Sequence, residues 1–205
     1  MSLVTLNNRA VRSVTTFGSV EGESMVFIKK LTASSSGTLS FVDGSSDVVF
    51  DGTYKEYMFI FNNMHPATDQ ANLTFQVSTD GGSNYNTTLT STHFRTYSAE
   101  DGSAADVVYY AAGDQAQGTS FEQLAVATGS DNDQCVSGIM HFFNPADTTF
   151  VKHFMSTFSN VAGTNFETNE YNAGYFNTTS AVDAVQFKYS SGNIDSGTIS
   201  LYGIS

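Results

Sequence analysis

The side chains of this sequence with chemistry to offer are four histidines, twenty carboxylates and one cysteine, and their spacing fits none of the common catalytic arrangements. A serine nucleophile calls for a GxSxG elbow, a hydrolytic zinc for HExxH, and nucleotide phosphates for GxxxxGK or GxGxxG; all four strings are absent. His65 falls in an expected turn, and His93, His141 and His153 fall in expected strands among Phe and Met, which suits packing or an interface better than general-base work. Cys135 has no partner for an intrachain disulfide or a thiolate zinc site, and beside Val136 it reads as a small buried apolar group. The acidic segments 43–47, 80–84 and 131–133 present oxygens of the kind calcium takes. Asp, Asn and Gly are equally the ordinary residues of reversals, and that is the reading adopted. The expectation is no catalytic residue, no metal, no cofactor and no enzyme activity. Tyr85, Tyr97, Tyr109 and Tyr110 could stack on sugars, although tyrosines on alternating strands also fill cores.

The elements that would position these groups are strands. Residues 54–86 carry the clearest pattern: Tyr57, Phe59 and Phe61 alternate with Met58 and Ile60, so both faces are apolar and the strand should lie deep in a sheet. Leu73, Phe75 and Val77 alternate with Asn72, Thr74, Gln76 and Ser78, which predicts one dry face and one wet face. A reversal over 62–71 and a Gly-rich turn at 80–84 make the unit antiparallel. Residues 25–33 and 38–42 are expected to pair as a hairpin, 48–50 to add a short strand, and 134–144 with 148–159 to form a second hairpin around Asn144-Pro145. Further strands are expected within 87–97, 107–112, 169–177, 182–189 and 197–202. Residues 114–129 fit a helical turn and a strand equally well. About ten strands and at most one short helix predict an all-β protein, an antiparallel two-sheet sandwich of jelly-roll type.

Composition sets the outer limits. The 205 residues suit one domain, and 17 Phe with 10 Tyr are enough aromatic volume to fill a space between two sheets. A formal charge of -12 argues against gripping nucleic-acid phosphates or an anionic membrane surface, and no apolar run is long enough to cross a bilayer. Every acidic residue follows position 20, whereas Arg9 and Arg12 precede it. That split divides the chain into an N-terminal arm, 1–24, and a β-sandwich domain, 25–205, with a frayed terminus or an edge strand as the alternative for the first segment. Leu6, Arg9, Val11 and Arg12 are the expected assembly contacts of the arm, the charges steering encounter and the apolar groups holding.

The strings LNNRAV at 6–11, EYMFIFNNMHPATD at 56–69, STDGGSNYN at 78–86 and SGNIDSGTISLYGI at 191–204 resemble a group of small virion structural proteins of marine tailed phages. The resemblance implies a β-sandwich displayed on a particle as a capsid decoration, fibre or tail-associated component, with other virion proteins and further copies of itself as partners, a trimer being favoured. It implies manufacture in a reducing host cytoplasm and residence in the virion, in keeping with the single cysteine. The alternative from another class is a glycan-binding, host-recognition module with Tyr85, Tyr97 and Tyr109 as contacts.

Overall fold

The computed structural model describes residues 24–205, so the expected arm contacts Leu6, Arg9, Val11 and Arg12 lie outside the described residues. Thirteen strands follow one another: β1 (Met25–Thr32), β2 (Leu39–Val42), β3 (Glu56–Pro66), β4 (Ala71–Ser78), β5 (Leu89–Ala99), β6 (Ala105–Tyr109), β7 (Ala116–Gly118), β8 (Glu122–Thr128), β9 (Val136–Phe143), β10 (Lys152–Ala162), β11 (Phe166–Phe176), β12 (Ala184–Tyr189) and β13 (Ile194–Ile204). Among the described residues the helical content is one 3-10 turn at Ala111–Gly113. The protein is all-β, as its alternating pattern predicts.

Every pairing is antiparallel, and the order β1-β13-β3-β9-β10-β8-β4-β12-β2 runs almost full circle. The ring is completed by Ser36, which bridges Ile194 of β13 just before β2 begins. On the other side β8 takes over the edge of β10 where β9 ends, through the single pair Ala162↔Thr128. From β10 a branch extends outward as β11, β5 and then β6 and β7. The result is an antiparallel sheet nearly closed into a barrel.

Its filling is aromatic. Phe59 meets Phe41 and Phe187 at 5.4 and 5.3 Å between ring centres, Phe61 meets Phe158 and Phe187 at 5.0 Å, and Phe75 meets Phe154 at 4.9 Å. Most of these contacts are edge-to-face, the arrangement the ring quadrupole prefers. Tyr57, Phe59, Phe61, Leu73, Phe75 and Val77 are all buried. Gly138 and Gly174 lie opposite Phe158 and Phe154 of β10, and a Cβ at either would collide with the facing ring.

Several local expectations need correction. The segments at 25–33 and 38–42 form no hairpin: β1 pairs β13 and β2 pairs β12, because the intervening turn is tied to β13 by Ala33, Ser35 and Ser36 and crosses between walls. Nor do β3 and β4 pair with each other. β3 runs on to Pro66 through a bulge, with Asn63 at φ 48° taking up the extra residue, so His65 is on a strand and the reversal is shorter than expected. The expected wet face of β4 is dry: Gln76 is buried and its amide donates to the carbonyls of Thr87, Thr119 and Ser120 in covering loops. Residues 48–50 are no strand, although Val48 and Phe50 are buried and the Phe50 amide donates to Asp43. The ambiguous stretch 114–129 resolves as β7 and β8. Cys135 is half-buried just before β9, rather than fully buried on a strand.

Candidate functional site

Two places collect unusual side chains. The first is the outer face of the branch that runs from β1 to β6. Because side chains alternate along each strand, register alone aligns Phe27, Tyr202, Met58, His141, Met155, Ala173 and Thr92 in one row across seven strands. The adjacent row is Ser200, Ile60, Ile139, Thr157, Tyr171, Phe94 and Tyr109, with the exposed Lys30 of β1 beside Ser200 at its end. Phe27 and Met155 are each 56% exposed. Of the most exposed large apolar side chains, all but Val49 and Phe150 lie on this face. Phe94 and Tyr171 stack at 4.8 Å with planes 7° apart. Between that pair and Phe143 runs a groove of about 630 Å³, floored by Ile139 and Met155. No Asp or Glu stands in either row; Glu56 borders them, and its carboxylate accepts a 2.5 Å hydrogen bond from Nδ1 of His141.

The second place is inside, where β5 and β11 face β8. His93, Arg95 and Tyr97 alternate along the inner face of β5, opposite Asn172, Glu170 and Thr168 of β11. His93 Nε2 donates to Glu170 at 2.6 Å, and the Thr168 hydroxyl donates to the other oxygen of Glu170 at 3.0 Å. Arg95 comes within 3.7 Å of that carboxylate and lies over the Tyr110 ring at 4.4 Å. Glu122 of β8 is fully buried and accepts from the Ser91 hydroxyl at 2.8 Å. Burial raises its pKa to about 8, with the Ser91 hydrogen bond opposing and the charge of Asp114 adding to the rise. The amides of Asn172 and Asn160 donate to the carbonyls of Leu124 and Val126, sealing the part of β8's edge that lies beyond its short pairing with β10. This group is held together largely by its own hydrogen bonds. It offers one carboxyl kept protonated at neutral pH and one guanidinium at its margin.

The tyrosines expected to touch glycan are dispersed. Tyr109 is on the outer face, with its hydroxyl donating to Asp114; Tyr97 is on the opposite face of β5; Tyr85 belongs to the loop after β4 and packs near Gly82. The acidic turn at 80–84 spends its carboxylate on itself. Asp80 accepts from Ser78 and from the backbone and side chain of Asn84, and these bonds, led by the Asn84 side chain, hold its pKa down at about 2. Among the described residues no three His, Cys, Asp or Glu side chains gather in a way that could hold a metal ion, and no helix is long and apolar enough to cross a membrane. Sequence reasoning assigned His93 to packing or an interface and passed over Arg95, Glu122 and Glu170. The legible signal was a His and an Arg two apart on one strand, which alternation places on the same face.

No protein-family model, curated protein or solved structure matches this chain.

Proposed function

We propose that this protein is a virion structural protein of a tailed phage, a capsid decoration or tail-associated component, and that it works as a homo-oligomer, with a trimer as the closed unit. We read its nearly closed barrel as a flattened, two-layer jelly roll, since β8 and the Ser36 bridge are slender links between the wide layer and the narrow one. The observation that carries the reading is the outer face of the wide layer, whose two central rows hold no carboxylate. Its rows cross seven strands, about 30 Å at the usual strand spacing, and a patch of that breadth marks an interaction surface.

Charge selects the occupant. Two copies that each carry -12 repel over most of their surfaces and approach most easily where carboxylates are few, which is along these two rows. A second copy of the chain therefore fits it. The four strings that resemble marine phage virion proteins support the particle context, and residues 1–24 would supply contacts to other virion proteins through Leu6, Arg9, Val11 and Arg12.

The test is the mass of the full chain by light scattering, alone and as the double variant Ile139→Asp, Met155→Glu. The expected result is a trimer that becomes a monomer with an unchanged far-UV spectrum. A monomeric wild type would overturn the reading. If deletion of residues 1–20 then made that monomer bind a hydrophobic dye, the face would belong to the chain's own N-terminal segment.

A further inference from the structure

At the end of the barrel where the turn after β5 meets the turn after β10, joined by the Glu100 amide donating to the Asn165 carbonyl, lies a recess of about 520 Å³. Its walls include Arg95, Tyr97, Tyr110, Ala127, Phe166 and Thr168. We propose that this recess binds a carboxylated sugar ring, a uronic or sialic acid unit of a glycan.

Arg95 supplies the first half of the argument. It is the one arginine among the described residues, on a protein of strongly negative charge. Its side chain is 23% exposed and sits on the Tyr110 ring. The nearest carboxylate, Glu170, is 3.7 Å away, past hydrogen-bond length, and its two oxygens already accept from His93 and Thr168. The guanidinium thus has no protein acceptor among the described residues, and its Nε is buried without a partner. A planar fork with unspent donors in a concave wall is matched by a carboxylate, which it can bind through two parallel bonds. With the buried Glu170 already paired to it at 3.7 Å, one guanidinium suits at most a single further negative charge; a nucleotide or polyphosphate would meet one arginine and a repelling field.

The walls supply the other half. Tyr97 and Phe166 meet edge-to-face at 5.7 Å, giving apolar surface of the kind that the C–H face of a sugar covers. Thr168 lines the same recess with its hydroxyl turned inward to Glu170. Ala127 holds φ 54° within β8, a left-handed conformation that costs about 1 kcal/mol or more in a residue with a Cβ. Strain of this kind persists where surrounding structure enforces it, and here it shapes the wall of a recess. The volume lies in the range of small-ligand sites, roughly 300 to 1,000 Å³. The inference is independent of the outer face: losing one leaves the other standing.

The experiment is an NMR titration of the isotope-labelled full chain with methyl β-D-glucuronide, with methyl β-D-glucoside as its neutral counterpart and N-acetylglycine as a carboxylate without a sugar. The expected result is saturable shifts at the amides of Arg95, Ala127 and Thr168 at millimolar glucuronide, with the other two ligands weaker by about tenfold. Arg95→Gln should erase the preference for the uronide, and Tyr97→Ala should weaken it in a protein whose melting is unchanged. No saturation by about 50 mM, shifts centred elsewhere, equal binding of the glucoside or of N-acetylglycine, or full affinity in Arg95→Gln would each overturn the proposal. Should Arg95→Gln fail to fold, the three-ligand comparison on the wild type and Tyr97→Ala still decides.

Discussion

Glu122 couples the interior to pH. Its carboxyl is kept neutral by burial up to about pH 8, above its ordinary value of 4.5, so the folded state holds a proton that the unfolded chain releases. The stabilisation from this group is fully present below about pH 4.5 and is lost as the pH rises towards 8. The total is on the order of 4 kcal/mol. Glu122→Gln keeps an acceptor for Ser91 and removes the proton, so it should flatten that fall and be the more stable protein at pH 8. Urea unfolding of both proteins at pH 5, 6.5 and 8 measures it, and parallel curves would show that Glu122 is not desolvated. Phe59 tests packing instead: it is fully buried against Phe41 and Phe187, and Phe59→Ala should cost about 3 to 5 kcal/mol because transfer and cavity terms add. A loss under about 1 kcal/mol would place that ring at the surface.

Among the elements, β8 and β10 matter most. β8 lies beside β4 along most of its length, and on its other side the Asn160 and Asn172 amides stand in for a neighbouring strand. Asn160→Leu should therefore cost about 1 to 3 kcal/mol by leaving the Val126 carbonyl buried and unpaired, readable as a lower denaturation midpoint. β10 carries Phe154 and Phe158 over Gly174 and Gly138, where the absence of a Cβ lets each ring lie against the neighbouring backbone. Gly138→Ala should cost about 1 to 3 kcal/mol by pressing on both the Phe158 ring and the Thr157 carbonyl, and an unchanged melting temperature would mean that ring and strand both have room to shift. Of these elements β10 was visible in sequence as a strand and β8 was left open between strand and helical turn, while the jobs of Asn160, Asn172, Gly138 and Gly174 were not legible at all. An inward Asn and an outward Asn look the same until the partner strand is known.

For the whole molecule, folding without a metal is expected, since the Asp-rich turns use their carboxylates in local hydrogen bonds such as those of Asp80 and Asp147. Chelation should leave the melting temperature alone; a fall of about 10 °C with EDTA, reversed by calcium, would put an ion in those turns. Assembly is the second property at this scale, and it rests on two rows that no single segment contains. Phe27, Met58, Met155 and Phe94 are scattered over four strands, each an unremarkable outward residue by itself, and they become a surface only when seven strands pair in register.

What the sequence determined by itself is local. Alternation and turn signals placed strands at β1 through β6 and from β9 to β13, the Gly, Asn and Asp clusters placed turns, and the missing motifs left no familiar catalytic arrangement to look for. Each of these depends on residues a few positions apart, where backbone geometry dictates the outcome. Tertiary structure alone decided that β1 joins β13 rather than β2, that the polar side of β4 is buried, and that His93, Arg95, Glu122 and Glu170 share one interior. Strand partners are chosen by the burial of whole faces against one another, and that free energy belongs to residues far apart in the chain.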